Sequence, residues 1–356
     1  MTARAAATAV PKTRRRSHAA RLPISVSAVL LLAVMLVAVA IGPVREPIGA
    51  VLGTVLAHLP LIGYHTSTPA IDQAVVWDFR LPRVVLAALV GAMLSAGGAS
   101  YQGVFRNSLA DPYLLGAAAG AGLGATIAIV AGGHGSLLVP AAAFAGAVVA
   151  VTMTYVVAAA GGSQSAGYAI VVAGIAVTGM FTAVQTYLQQ QNTDEIRQIY
   201  NWLLGSFSNA SWADVRLVLP YLVVSAGILL AHRRILDVLR VGADEAGALG
   251  IHPERTRLII VGAATLGTAA AVAVSGLIGF VGVIVPHAVR LLAGASYRIV
   301  LPVAMLGGAA FMVLADLLAR TVQSPSELPI SVVTAAIGAP FFLFILRSRR
   351  TRQGVL

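Results

Sequence analysis

Residues 112–193 read PYLLGAAAGAGLGATIAIVAGGHGSLLVPAAAFAGAVVAVTMTYVVAAAGGSQSAGYAIVVAGIAVTGMFTAVQTYLQQQNT, 82 residues without one aspartate, glutamate, lysine or arginine. A soluble domain needs charged surface far more often than this. A bilayer accounts for the run, because a hydrocarbon core about 30 Å thick takes about 20 apolar residues per crossing. Two small, glycine-rich clusters, AGGHGS at 131–136 and GGSQSAG at 161–167, divide the run into three spans. They are placed at about 113–131, 137–159 and 169–188.

Working outward, the same pattern continues in both directions. The 356 residues are 58% hydrophobic and 10% charged, with a mean hydropathy of +0.88. Upstream, spans are expected at about 24–42 and 84–104, separated by an external segment, 43–79, with a short helix near 46–59. Downstream, QQQNTDEIRQIYNWLLGSFSNASW (189–212) is too polar to cross. It is expected at the outer interface, where Tyr200, Trp202 and Trp212 suit the headgroup level. A sixth span follows at 214–231. The uncharged stretch 258–286 is long for one crossing, and Ser275-Gly276 suggests a break into spans at 256–273 and 277–292. Protein, rather than lipid, must surround such a break. Spans at 301–319 and 328–346 complete an all-α, polytopic protein of ten transmembrane helices.

The transmembrane domain is thus expected over 22–347, between a disordered basic tail, 1–21, and a short tail, 348–356. The apolar run after the first tail is long enough to span, unlike a cleaved signal peptide. Of the 24 basic residues, 18 fall on segments placed inside and six on segments placed outside. That bias puts both termini in the cytoplasm. It also spreads the net charge of +11 over loops and helix flanks, which leaves no basic face for nucleic acid.

Several chemistries are excluded or disfavoured. There is no cysteine, hence no disulfide or thiolate metal ligand. Lys12 is the sole lysine, so no GxxxxGK[ST] phosphate loop exists. GAGLGA (120–125) has no preceding strand and no acidic partner at dinucleotide spacing. The histidines, His287 of IVPHAVR included, show no metal spacing. An ion-driven carrier normally needs an ionisable group at mid-membrane, and spans 3 to 5 contain none. No polar cluster suits a membrane enzyme.

One stretch departs from the apolar background. LDVLRVGADEAGALGIHPERTRL (236–258) carries four acids and a histidine among its arginines, between spans 6 and 7. Asp244 and Glu245 suit the first turn of a short helix, Gly250 its end, and Pro253 the start of a second. The residues alone leave two readings open, a solvated loop and a docking element for a soluble partner.

Three blocks carry a resemblance that bears on this choice. They are RLPRVVLAALVGAMLSAGGASYQGVFRNSLADPYLLGAAAGAGLG (80–124), SGLIGFVGVIVPHAVRLLAG (275–294), and ADLLAR (315–320) followed by ELPISVVTAAIGAPFFLFIL (327–346). Together they resemble the FecCD-type membrane subunits of type II ABC importers for iron-siderophores, haem and vitamin B12. The similarity covers about 24–347. NSLADP (107–112) stands where the family usually has NPLADP.

The resemblance implies a permease without covalent chemistry of its own. A second copy or a paralogue would complete the pathway, and two ATP-binding cassette subunits would bind ATP and magnesium. An extracytoplasmic binding protein would deliver an iron chelate or similar ligand at a bacterial cytoplasmic membrane. The charged island would be the ATPase-coupling element, with Ala246–Gly250, including Leu249, nearest the partner and Asp244, Glu245, His252, Glu254 and Arg255 around it. Arg80, Arg83 and Arg320 fall at outer span ends. They read either as interfacial anchors, with an i,i+4 pair between Asp316 and Arg320, or, by the resemblance, as partners of binding-protein glutamates.

In span 5, Thr178, Thr182, Gln185 and Gln189 make one polar stripe. It serves either helix–helix hydrogen bonding or, by the resemblance, the wall of the translocation path, with Ser331 and Thr334 of span 10 as weaker candidates. The connections FRNSLADP (105–112) and GGSQSAG resemble the family's cytoplasmic gate, with Asn107, Ser108, Ser163 and Ser165 as its candidate residues; otherwise they are ordinary turns.

Overall fold

A computed structural model describes residues 16–42, 46–58, 65–133, 137–160 and 166–353, and every regular element among them is helical. In chain order these are α1 (Arg16–Ala40), α2 (Ile48–Ala57), α3 (Ala70–Ala74), a π turn (Val75–Arg80) and α4 (Leu81–Val104). A 3₁₀ turn (Pro112–Leu115) leads into α5 (Ala117–Val130), α6 (Leu138–Ala160), α7 (Ala166–Gln191) and α8 (Ile196–Leu203). Then come α9 (Trp212–Val241), α10 (Ala243–Ala248), α11 (Pro253–Ser275), α12 (Val281–Ala293), α13 (Tyr297–Thr321) and α14 (Ile330–Gln353).

Among the described residues, seven segments are long and apolar enough to cross a membrane: 22–40, 70–104, 138–160, 169–191, 212–241, 253–275 and 297–321. The apolar helices α5, α12 and the 330–345 part of α14 are shorter. Together these ten stand in the order of the ten expected spans. α2 is the short helix expected near 46–59.

Helix α4 lies at the centre, buried along most of its length, with α11 and α13 the next most enclosed. Close approach requires small residues, because lipid supplies no hydrophobic drive between helices. A Cβ on Gly91 would strike the Gly308 carbonyl of α13, and one on Gly98 the Gly282 carbonyl of α12. Polar pairs then fix the register. Tyr101 and Thr265 share a hydrogen bond of 2.8 Å, Gln102 Nε2 donates to Gly282 O at 3.1 Å, and Arg290 donates to the Gln102 amide oxygen.

Local chemistry sets the helix ends. Ser211 and Asp214 form a reciprocal capping box that starts α9. The Asp111 carboxylate accepts from Tyr113 N at 2.8 Å and caps the 3₁₀ turn. The expected break at Ser275-Gly276 is present: α11 ends there and α12 begins at Val281. The exposed peptide groups are covered by protein, since Tyr113 Oη donates to Ile278 O at 3.1 Å and accepts from Ile278 N at 3.3 Å.

Some boundaries differ from expectation. α9 extends ten residues past the predicted span, so the first part of the charged island is helix, and Pro253 opens α11 directly. The second short helix expected there is therefore the first turn of a span. Helix α1 begins at Arg16, inside the segment expected to be a tail, and α14 continues to Gln353.

Candidate functional site

The candidate residues divide between the two ends of the bundle and the helices joining them. At one end the N-terminus of α4 meets the C-terminus of α13. Arg83 Nε donates to both Asp316 oxygens at 3.0 Å, and Nη2 donates to Asp316 Oδ1 at 2.8 Å. Its outer edge is taken by Glu327 of the α13–α14 connection, which accepts from Nη1 at 2.7 Å and Nη2 at 2.9 Å. The planar guanidinium fork suits this double engagement.

Arg320, one turn after Asp316, lies 3.7 Å from its carboxylate through Nε and donates to Ala38 O. Arg80 Nη1 donates to Val39 O at 3.0 Å and Ala40 O at 3.3 Å. Arg80 and Arg320 thus serve the last carbonyls of α1, which its own helix leaves without partners. Arg80 and Arg320, expected at outer span ends, have their side chains buried in the protein, and Arg83 has an exposed partner in Glu327. Its main buried partner is Asp316, which the sequence associated with Arg320.

Beside this cluster α8, the 204–209 segment, the end of α11 and residues 327–329 enclose a cavity of about 820 Å³. Its floor is stitched by backbone bonds: Ser206 N to Ser275 O at 3.0 Å, Ser331 N to Leu204 O at 3.2 Å and Ile330 N to Gly205 O at 3.3 Å. Arg197, Asn201, Asn209 and Glu327 face it, with Trp202. Trp212, expected at a lipid interface, is half-buried and donates its indole N–H to Trp77 O at 2.8 Å.

At the opposite end α10 forms a knob between α9 and α11. Gly250, at φ +76°, ends it, and Ile251 N donates back to Ala246 O at 3.0 Å. Ala246 is fully buried and packs into the bundle, whereas Leu249 is 68% exposed. Glu245, Gly250, His252, Glu254 and Arg255 are exposed around it. Glu254 pairs instead with Arg257 at 2.8 Å, and the Asp244 side chain lies outside the described residues. Asp237 accepts from Ser296 Oγ at 2.8 Å and Tyr297 N at 2.6 Å, and Arg240 Nη1 donates to Ala295 O at 2.8 Å. The knob's base is therefore tied to the α12–α13 connection.

The stripe on α7 does not face one open surface. Gln185 is buried, and its amide stands opposite Gly122 of α5. Thr178 and Gln189 are half-buried, and Thr182 is exposed. In α14, Thr334 is fully buried and donates to Ser331 O at 3.2 Å, so only Ser331 of that pair has an accessible side chain.

Asn107 and Ser108 are exposed at the knob end, where Asn107 Oδ1 accepts from Leu109 N at 2.9 Å. Ser108 also lines a largely apolar cavity of about 500 Å³ with Asp111, Phe280, His287 and Phe342. Ser163 and Ser165 lie outside the described residues.

The FecCD transport family matches residues 16–348. The chain belongs to the FecCD transport family. This FecCD chain is 39% identical to the cobalamin import system permease protein BtuC of Halobacterium salinarum, over 91% of its own length and 95% of the relative's. It is 33% identical to the Fe(3+)-citrate import system permease protein YfmE of Bacillus subtilis, over 96% and 99%.

The hemin transport system permease protein HmuU of Yersinia pestis is 38% identical to the FecCD chain, over 82% and 89%. A metal-chelate-type ABC transporter solved in an inward-facing conformation superposes with a TM-score of 0.80 at 29% identity, covering 91% of this chain and 98% of that one. The FecCD chain is a multi-pass membrane permease of the ABC importer type.

Glu327, which pairs with Arg83, is a member of the charge cluster that sequence reasoning did not single out. It opens the ELPIS block and is one of only 13 acids in the protein, and that scarcity is itself a signal.

Proposed function

We propose that this permease is the pathway-forming subunit of an ATP-driven importer for ferric siderophores. The observation that carries the proposal is the superposition of nearly the whole chain on an inward-facing metal-chelate transporter. In this reading two copies, or this chain and a paralogue, enclose the path. Two ATPase subunits seat against Leu249, Glu245 and their neighbours, and bind the ATP and magnesium. A binding protein delivers the chelate at the arginine end. ATP binding shifts α10, and through Asp237 and Arg240 the α12–α13 connection, so a site far from the path changes which end of the bundle is open.

The 18-to-6 distribution of basic residues supports a cytoplasmic knob and cytoplasmic termini. Thr178, Thr182, Gln185, Gln189, Ser331 and Thr334 belong to the helices proposed to flank the path; Gln185 and Thr334 are buried, so the other four are the ones proposed to touch its contents. Asn107, Ser108, Ser163 and Ser165 are proposed for the cytoplasmic gate.

Cobalamin is the second reading, favoured by the 39% identity to a permease named for its import. Proteoliposomes containing the permease, an ATPase and a binding protein, offered a ferric siderophore, haem and cobalamin separately, decide between them. ATP-dependent accumulation of the siderophore alone supports the first reading, and of cobalamin alone the second. Uptake that needs neither ATP nor binding protein overturns both.

A further inference from the structure

The three arginines at the delivery end differ in what they can release. Arg80 and Arg320 hold the last carbonyls of α1, and Arg320 also faces Asp316, whose side chain is 1% exposed. Drawing Arg320 outward would take the arginine donor from Ala38 O, and drawing Arg80 outward would take it from Val39 O, a penalty a docking contact would first have to offset. Arg83 is built differently. Its inner edge, Nε and one Nη2 hydrogen, is fixed on Asp316. Its outer edge, Nη1 and Nη2, is occupied by Glu327, whose side chain is 36% exposed.

A carboxylate arriving from outside needs that same Nη1/Nη2 edge, because the Nε/Nη2 edge is held by buried Asp316. The two carboxylates cannot occupy it together. Exchange costs little, since Arg83 keeps its buried partner throughout and the departing Glu327 side chain is already partly in water, where such pairs are weak.

We propose that Glu327 is a built-in competitor for the Arg83 docking site, displaced when an acidic side chain of the binding protein engages Arg83. This rests on the proposed importer reading and adds a consequence of docking to it. Glu327 is continuous with Leu328 and Pro329, which form one wall of the 820 Å³ cavity. Leu328 N donates to Ala319 O at 2.8 Å, and its side chain packs on the core. Loss of the Arg83 contact removes the ion pair that ties this wall to α4. Docking therefore loosens the cavity's edge at the moment the ligand is delivered.

The test uses the binding protein that supports uptake in the reconstituted transporter, with the complete complex in nanodiscs. Removing the competitor in Glu327→Gln and Glu327→Ala should tighten binding about two- to fivefold, the range expected for a partly exposed ion pair. Because the permease has no cysteine, Leu328→Cys gives a single maleimide site on each permease chain, read on that chain after the subunits are separated. Its modification should be slow in the resting complex, faster when the binding protein docks, and fast without it in the Glu327→Gln background. Uptake with unchanged or weaker binding of both Glu327 variants, or Leu328→Cys labelling indifferent to docking, overturns the competitor. Failure of any binding protein to support uptake overturns the importer reading and takes the exchange with it.

Discussion

Glu327 is the one acid of the charge cluster that reaches solvent, and its ionisation is set by its neighbours. The hydrogen bonds from Arg83 hold its carboxyl below the usual carboxylate range; burial works against this, and the charges of Arg83 and Arg320 add to it. Asp316, also bound to Arg83, completes the set of charged groups around it. A depressed carboxylate contributes stability that is fully present above its unfolded pKa and lost as pH falls through the folded value. Wild type should therefore melt higher than Glu327→Gln at neutral pH. The gap should close as pH drops below about 4, the ordinary range of a glutamate. Equal melting temperatures at neutral pH would show that the contact adds nothing.

Asp316 is the stricter case at this scale. Asp316→Ala leaves Arg83 and Arg320 facing an empty buried site and should cost about 3–5 kcal/mol, read as loss of thermostability in detergent. Arg83→Met should be milder than Asp316→Ala, because it leaves one buried carboxylate that Arg320 still faces. Arg80, Arg83, Asp316 and Arg320 stand out in the sequence, since charges are scarce in this chain. Their direction does not. A span end permits a side chain to point to water or to a neighbouring helix, and only packing against α1 decides.

At the scale of elements, the helices follow from the apolar runs and their turn residues, while their lengths do not. Arg233, Arg234 and Asp237 look like a loop by charge, yet a helix leaving a membrane carries charge without unwinding, and α9 runs through all three. Gly276 does mark the break between α11 and α12, because a residue at φ +71° that also sits against Trp202 O admits no side chain. The polar stripe on α7 is legible as a stripe. Its division between an interior Gln185 and an exposed Thr182 is not, since that depends on the groove offered by α5. The glycine contacts allow a direct check. Gly91→Val would force α4 from α13 at the Gly308 carbonyl and should destabilise by about 1–3 kcal/mol or more. Gly262→Val, where a Cβ meets nothing within 4 Å, should change melting far less.

At the scale of the whole molecule, the two ends are joined by helices, so a push at the knob has a route to the stitched floor of the cavity at the arginine end. α11 runs from Pro253, beside α10, to Ser275, which accepts the Ser206 amide of that floor. The same helix packs on α4 and α9 along its length. Displacement of its first turn is thereby transmitted as movement of a body, which packed interiors favour over continuous bending. The exposed contact that would deliver the push is Leu249, since Ala246 is used up in fixing α10 to the bundle. Leu249→Asp removes an apolar contact and places a charge on the tip without touching the core. It should leave the melting temperature of the isolated permease within about a degree, as for surface changes away from special features. In the reconstituted transporter it should lower both ATPase co-purification and ATP-driven uptake at least tenfold, corresponding to about 1.4 kcal/mol lost from the contact. Ala246→Asp should do the reverse, unsettling the permease itself by burying a charge. If Leu249→Asp retained uptake and ATPase binding, the knob would be a solvated loop and the partner would have to seat elsewhere on that end.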